Sequence, residues 1–198
     1  MSQQQKHFVF DLETLGVFDN SIVLSMACVS FELDKNEVPV SYFLENSFFC
    51  KFSVKEQMAL GRDVEQSTLD WWKKQDKEVF KANCMPSFSD VSIKEGIRGL
   101  ETYLKNEDYD WKTSFLWSRG IGFDFPKIES LCKNIGFKVP FNTFKARDIR
   151  TYFDILSGSL DGYGDFKDLE ELKGLNFHNA LDDCVAEVIR MKKLFLTL

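Results

Sequence analysis

The sequence predicts an α/β domain in which helices flank a mixed five-stranded sheet. Two observations predict this class: three strand-like segments come first, and further strand-like segments then alternate with helical patterns. Consecutive strands favour antiparallel pairing, whereas strands separated by helices favour parallel pairing, so the sheet should contain both. At 198 residues, 44% of them hydrophobic, the chain is expected to form one domain with a sizeable core.

The predicted strands are apolar runs bounded by turn residues. HFVF before Asp11 is typical of a strand buried on both faces, residues 22–33 form a β-branched second run, and residues 47–54 form a third. TSFLWS, residues 113–118, resembles another buried strand, and residues 144–147 form a short one. These segments give the five strands of the expected sheet.

Helices are predicted from apolar side chains at helical spacing and from residues that cap a first turn. STLDWWKKQ opens with a Ser-x-x-Asp arrangement similar to a capping box, and residues 91–106 carry an apolar stripe. A helix is expected after the fourth strand, in FDFPKIESLCKNIGF, and another from its cap Asp148 to Leu156. Residues 157–166 are a Gly-rich loop, and residues 178–198 form a long amphipathic helix.

Composition narrows the class of protein. A net charge of −6 argues against a protein that coats nucleic acid through a global basic field, but it leaves room for an enzyme with local cations. The five cysteines are scattered without a C-x-x-C pair, as expected for free thiols in a reducing compartment. The start MSQQQKH is polar, and the apolar run 22–33 is too short to span a bilayer. We therefore expect a cytoplasmic protein.

FDLET places two acids at the end of the first buried strand. Because side chains alternate along a strand, Asp11 and Glu13 should point to the same face, about 7 Å apart along the backbone. Such a pair repels itself unless a cation lies between the two carboxylates. Taken alone, it also fits a strand that simply reaches the surface.

Two further acidic segments follow. Asp124 comes just after the fourth strand, at the start of a helix, where it could be the N-cap. His178 precedes Asp182 and Asp183 at the head of the last helix, where acids favour the helix dipole. An α/β sheet can bring all these element ends together.

Four converging acids and one His predict metal-dependent chemistry. Oxygen ligands with few nitrogens favour Mg²⁺ or Mn²⁺ over zinc. Two such ions about 4 Å apart can activate a water and stabilise the leaving oxygen of a phosphodiester. A His with a pKa near neutrality can accept the proton of that water.

The same segments resemble a known family. FDLET, the Asp124 segment and H-x-x-x-x-D from His178 to Asp183 are similar to the three exonuclease motifs of the DEDDh superfamily, which includes ribonuclease T, oligoribonuclease and proofreading subunits. STLDWWKKQ, WSRGIGFDFP and KARDIRTYFDIL further resemble the subfamily of T-even phage exonuclease A and its bacterial exoribonuclease relatives. The resemblance begins near Phe8. It implies a ribonuclease H-like three-layer fold, with residues 1–198 forming a single exonuclease domain that releases nucleoside 5′-monophosphates from 3′ ends.

The resemblance also implies roles for the acids and the His. Asp11 would bridge two Mg²⁺ ions, which Mn²⁺ should be able to replace. Glu13 and Asp183 would complete one metal site, and Asp124 would support the other. His178 would be the general base.

The choice between Asp182 and Asp183 depends on the argument used. On an ideal helix, the residue four positions after His178 lies about 40° from it and the fifth about 140°, which favours Asp182. The family spacing selects Asp183. We predict Asp183, because His178 is expected at or before the first turn, where ideal angles do not hold.

Contacts to the terminal nucleotide are expected from two segments. Thr14 and Leu15 resemble the family's stretch that meets this nucleotide, with Leu15 as a wedge against the base. Trp71 and Trp72 should point about 100° apart on their helix. One is expected to pack against the sheet, and the other is free either to pack or to stack on a base.

Three arginines are candidates for phosphate contacts. Arg119 lies next to the Asp124 motif, and Arg147 and Arg150 lie in KARDIRT. Each fits a surface ion pair equally well. Asp148 in the same segment is interpreted as a helix cap and not as a metal ligand.

Two other classes of protein remain to be weighed. Phosphatases of the haloacid dehalogenase class begin with D-x-D-x-T, and residues 164–168 imitate their late G-D-x-x-D. The preceding SLDGYG is not a buried strand, however, and that class leaves HNALDD unexplained. A non-catalytic binding module would be expected to have lost one of the acids or the His.

Substrate and assembly are less determined by the sequence. The phage-like subfamily suggests the 3′ end of single-stranded DNA, and its bacterial relatives suggest RNA; we predict DNA. A homodimer is common in such folds. If the chain is phage-encoded, its location would be the host cytoplasm.

Overall fold

The computed structural model describes residues 5–34 and 36–198, and within these ranges five strands form one mixed sheet. The strands are β1 (Lys6–Thr14), β2 (Val23–Glu32), β3 (Phe48–Lys51), β4 (Phe115–Ser118) and β5 (Ala146–Asp148). They lie in the order β3-β2-β1-β4-β5. β2 pairs antiparallel with β1 and β3, whereas β4 pairs in parallel with β1 and β5. The predicted mixed five-stranded sheet is confirmed.

Helices surround this sheet in the described residues. The α-helices are α1 (Val40–Glu45), α2 (Val54–Ala59), α3 (Gln66–Trp72), α4 (Lys77–Cys84), α5 (Ile93–Asn106), α6 (Ile121–Asn134), α7 (Ile149–Ser157) and α8 (Ala180–Leu196). Short 3₁₀ helices cover Thr143–Lys145, Gly164–Phe166 and Glu170–Leu172. Across the described ranges, no helix combines the length and the apolar character that crossing a bilayer requires.

Alternating side chains of β1 enter two cores on opposite faces of the sheet. Phe8 and Phe10 pack with Ile97 of α5 and Ile128 of α6. On the other face Val9 packs with residues of α8. The sheet therefore lies between two helical layers, as the three-layer prediction requires, and the odd-numbered residues of β1 face α8.

Three element boundaries differ from the sequence-based expectation. Val54 begins α2 and does not end β3. The capping box expected at Ser67 does not form, because α3 begins two residues earlier than expected, with Glu65 as its N-cap. Residues 144–147 are a strand only from Ala146 onward, since the preceding residues form a 3₁₀ turn. The short helices α1, α2 and α4 lacked a clear sequence pattern.

Candidate active site

Asp11 and Glu13 lie on the α8 side of β1, where the strand ends. Asp11 is opposite Ala27, and Glu13 is opposite Ser25 on β2. These small cross-strand neighbours leave room beside both carboxylates. The register then shifts between Glu13 and Thr14, so regular pairing is interrupted directly after the two acids.

The first turn of α8 brings Asp183, and not Asp182, to the two acids of β1. Asn179 caps the helix with its side chain. Asp182 is turned to the preceding loop, where it accepts a hydrogen bond from the backbone N–H of Asn176 at 2.7 Å. Asp183 accepts one from the backbone N–H of His178 at 2.9 Å. Carboxylate oxygens of Asp183 and of the two β1 acids all lie within 4.8 Å of one another. We call these three residues the acidic cluster.

Asp124 borders the acidic cluster from α6. The N-cap of this helix is Gly120, whose φ of 112° lets the chain turn sharply out of β4. Asp124 therefore occupies the first turn and is not the cap. It is buried, and its charge acts on both Asp11 and Glu13.

Burial raises the pKa values of all four carboxyls, and neighbouring acidic charges add to the shifts of Asp11, Glu13 and Asp183. Burial is the main cause of the shift for each of them. The pKa of Asp11 lies well above its usual range, because the charges of Glu13, Asp124 and Asp183 add to burial. The pKa of Glu13 is raised to about 8, and those of Asp124 and Asp183 to about 7. Near neutral pH the group therefore holds protons that a cation can displace.

The acidic cluster fits a divalent cation by its donors. Three carboxylates supply only hard oxygen ligands, which suit Mg²⁺, Mn²⁺ or Ca²⁺. Their like charges are close enough to hinder simultaneous ionisation, as the raised pKa values indicate. A bound cation would remove this repulsion.

His178 lies at the edge of the acidic cluster in an unusual backbone conformation. Its φ is 65°, one of two positive values among the described residues other than glycine. Partial burial lowers the pKa of its imidazole, so the ring is largely neutral near pH 7 and can accept a proton. The ring meets that of Trp71 edge-on, with centroids 5.0 Å apart.

The two neighbouring tryptophans have different environments. Trp72 is only 1% exposed, and its indole N–H donates to the carbonyl of Thr14 at 2.9 Å. It therefore packs beneath the end of β1 and cannot stack on a base in this conformation. Trp71 is 41% exposed and lies beside His178. One tryptophan was expected to pack and the other to be more exposed, and Trp71 is the exposed one.

Thr14 and Leu15 are less accessible than expected from the sequence. The Thr14 hydroxyl donates to the carbonyl of Gly16 at 2.8 Å. Leu15 is buried with Ile22, Leu24 and Trp72. The expected wedge role of Leu15 stays a prediction that this conformation does not favour, because the side chain is buried in a small core.

A cavity beside Glu13 provides surface that a ligand can reach, in contrast to the buried side chains of Thr14 and Leu15. Its volume is about 210 Å³, and Val17, Trp71 and Phe123 contribute to its walls. Val17 and Phe123 were missed from the sequence, since neither belongs to a chemically distinctive motif. They are brought to Glu13 by the loop after β1 and by the first turn of α6.

The loop after β1 is held by a carboxylate that sequence reasoning also missed. Glu65 accepts hydrogen bonds from the backbone N–H of Val17 at 2.5 Å and of Phe18 at 3.2 Å. Gly16 permits this approach, because a Cβ there would lie 2.3 Å from the Glu65 carboxylate. Lys127 donates to the carbonyl of Val17 at 2.9 Å. The exposed side chains of Val17 and Phe18 are thus presented by a fixed backbone.

Arg119 forms a buried ion pair with Glu187. Its guanidinium donates to both carboxylate oxygens of Glu187, at 2.9 and 2.8 Å, and to the carbonyl of Gly162 at 2.9 Å. It also lies 3.7 Å from the centroid of the Tyr163 ring. The expected phosphate contact of Arg119 stays a prediction that this conformation does not favour, because the guanidinium is already paired with the buried carboxylate of Glu187.

Arg147 and Asp148 are placed at the edge strand β5. Arg147 is exposed but donates to the carbonyl of Ala146 at 2.8 Å, and its guanidinium lies over the Phe115 ring. The guanidinium of Arg147 therefore contacts the backbone just before it in the chain. Asp148 caps α7 by accepting a hydrogen bond from the backbone N–H of Thr151 at 2.9 Å, as predicted.

Arg150 is the arginine of this segment that lies near the acids. One of its guanidinium nitrogens is 3.2 Å from the position that a Cβ would take at Gly120, at the start of α6. Its charge helps to lower the pKa of Asp124 against the effect of burial. Within residues 5–34 and 36–198, its guanidinium has neither a hydrogen-bond acceptor nor an ion-pair partner.

Comparisons with known proteins agree with this arrangement. The family described as "3′-5′ exoribonuclease Rv2179c-like domain" matches residues 6–194. The exodeoxyribonuclease of Enterobacteria phage T4 is 32% identical over 202 aligned residues, which cover 93% of this chain and 87% of the phage protein.

Two solved structures are similar in fold. The cell-death related nuclease CRN-4 aligns with a TM-score of 0.69 at 12% identity, over 98% of this chain but only 64% of its own length. The nuclease domain of 3′hExo, a DEDDh family member bound to rAMP, aligns with a TM-score of 0.64 at 12% identity, over 99% of this chain and 94% of that one. The predicted ribonuclease H-like fold is confirmed. This chain belongs to the Rv2179c-like family of 3′-5′ exoribonuclease domains, and with it to the hydrolytic 3′-5′ exonucleases.

Proposed function

We propose that this protein removes nucleotides one at a time from the 3′ end of single-stranded nucleic acid, with DNA as the preferred strand, and releases nucleoside 5′-monophosphates. The observation that carries the proposal is the acidic cluster beside His178, in which three carboxylates lie within 4.8 Å of one another. The family uses divalent metal and acts on nucleic acid. Two Mg²⁺ ions, replaceable by Mn²⁺, are the proposed cofactors.

In this proposal the four acids hold the metal ions. Asp11 would contribute to both ion sites, Glu13 and Asp183 would complete one of them, and Asp124 would support the other. Bound divalent cations would favour deprotonation of an attacking water and stabilise charge on the leaving 3′ oxygen. The convergence of oxygen ligands and their raised pKa values support the assignment.

His178 is the proposed general base. Its lowered pKa keeps the imidazole uncharged near pH 7, so the ring can accept the proton of the attacking water. The water oxygen bonds to phosphorus as the bond from phosphorus to the 3′ oxygen breaks. That oxygen keeps the electron pair and gains a proton from solvent, leaving a shortened strand with a 3′ hydroxyl.

The cavity beside Glu13 is the proposed site for the terminal nucleotide. Its aromatic walls, Trp71 and Phe123, offer faces or edges to a base without reading its identity. Thr14 lies next to Glu13 at this site, but its side chain is buried. Arg150 is the proposed phosphate contact, because its guanidinium lies near Asp124 and is free to bind an anion.

The preference for DNA is supported by the phage T4 relative, which is named an exodeoxyribonuclease. The family description names RNA instead, which makes a 3′-5′ exoribonuclease the second candidate. A homodimer, a single-domain organisation and a cytoplasmic location stay predictions.

A strand-degradation assay tests the proposal. DNA and RNA strands of one sequence, labelled at the 5′ end, are incubated with Mg²⁺, Mn²⁺ or chelator, and products are resolved at single-nucleotide steps. We expect a ladder that shortens from the 3′ end, faster for DNA, slower on the annealed duplex and absent with chelator. A faster RNA ladder would select the exoribonuclease. Intact strands with both metals would contradict the proposal and favour a binding module.

A further inference from the structure

We infer that Asn83 of α4 is a positioning residue for His178: its side-chain amide holds the His178 carbonyl and thereby fixes where the imidazole lies. The amide nitrogen of Asn83 donates to this carbonyl at 2.7 Å, across 95 residues of sequence. The inference rests on the proposed general-base role of His178 and assigns a role to a residue whose side-chain hydrogen bonds go to the carbonyls of Val79 and His178 and not to the acidic cluster.

The backbone of His178 is held on both sides by side chains of other residues. Its N–H donates to the carboxylate of Asp183 at 2.9 Å, and its carbonyl accepts from Asn83. The φ of 65° is unfavourable for a side chain with a Cβ. Such a conformation persists only where the surrounding structure imposes it. The two hydrogen bonds supply that constraint.

Asn83 is itself fixed in place. It is 6% exposed, and the same amide nitrogen also donates to the carbonyl of Val79 at 3.1 Å, one turn earlier in α4. Val79 and Phe80 pack against the small core that contains Leu15 and Trp72. The position of the amide is therefore determined by the same core that supports the end of β1.

The direction of the imidazole follows from this backbone. The His178 ring lies against Trp71 at an interplanar angle of 89°, with centroids 5.0 Å apart. Without the Asn83 amide, one of the two hydrogen bonds that fix the His178 backbone is lost, so we expect the ring to shift from this contact. Misplacing a general base costs part of its contribution, which is about 10²–10⁴-fold.

Asn83→Leu tests the inference, because leucine keeps much of the volume and removes the donor. We expect kcat to fall about tenfold, while KM and the metal concentration for half-maximal activity stay unchanged. Asn142→Ala is the matched control: the Asn142 amide also donates to a distant backbone carbonyl, that of Trp111 at 3.0 Å. It contacts no member of the acidic cluster, so its kcat should equal that of the parent.

A double-mutant cycle with His178→Ala separates positioning from general weakening of the fold. In the His178→Ala background, Asn83→Leu should cause no further loss of kcat, because there is no imidazole to position. A further tenfold loss there would overturn the inference, as would a parental kcat in Asn83→Leu alone. Asn83→Ala provides a smaller replacement if the Leu variant fails to fold, with melting temperatures measured for all variants.

The cycle also distinguishes this inference from the proposed base. If His178→Ala retains the parental rate, the general-base assignment is wrong and the positioning inference falls with it. If His178→Ala loses activity while both Asn83 variants fold and keep the parental kcat, only the positioning inference is wrong.

Discussion

Asp11→Asn is expected to abolish hydrolysis while raising the melting temperature of the metal-free protein. Asn keeps the size of the side chain but lacks the negative charge and the second carboxylate oxygen with which Asp11 would hold the cations. Bound metal would stabilise the transition state by several kcal/mol, and losing that stabilisation lowers the rate by about a thousandfold or more. The measurement is kcat on a labelled strand with saturating Mg²⁺, beside thermal unfolding in chelator.

The stability of this variant should move in the opposite direction. Burial and the charges of Glu13, Asp124 and Asp183 raise the pKa of Asp11. A carboxyl whose pKa is higher in the folded than in the unfolded state destabilises the fold as pH rises above the unfolded value. At pH 8, removing this group should therefore stabilise the metal-free protein.

Asp182→Asn is the control, because Asp182 is turned to Asn176 and lies outside the acidic cluster. It should retain the parental rate. Parental activity in Asp11→Asn, or a lower melting temperature in chelator, would show that Asp11 is not a member of a repulsive metal-binding group.

His178→Ala is expected to lower kcat by about 10²–10⁴-fold with little change in KM, since only proton transfer in the reaction step is lost. The pH profile at saturating metal gives a second readout. Because partial burial lowers the pKa of His178, the parental rate should fall as pH drops through a value below that of ordinary histidine. The variant should lack this acidic limb. An unchanged limb in the variant would assign it to another group.

The sequence predicts the part of the site in which the acidic residues lie on one strand. Asp11 and Glu13 belong to one strand, so alternation alone places them on one face. The mixed sheet likewise follows from the order of apolar runs. Asp183 could be chosen over Asp182 only by family spacing, because the first turn of α8 does not continue back to His178.

Other contacts depend on packing between distant segments and carry no local signal. Glu65 reaches the loop after β1 across nearly fifty residues, and Asn83 reaches His178 across 95. The ion pair of Arg119 is a further example. Its neighbourhood in sequence suggests phosphate, but its partner Glu187 lies on another element 68 residues away.

The measurement that most directly tests the central claim is calorimetric titration of the metal-free protein with Mn²⁺ at pH 7, in two buffers of different ionisation enthalpy. The pKa of Glu13 is about 8, and those of Asp124 and Asp183 are about 7. Bound metal requires these carboxyls ionised, so binding should release protons and tighten from pH 6 to pH 8. Asp11→Asn should bind more weakly. Absence of binding, or binding without proton release and without dependence on Asp11, would contradict the assignment of the acidic cluster as the metal site.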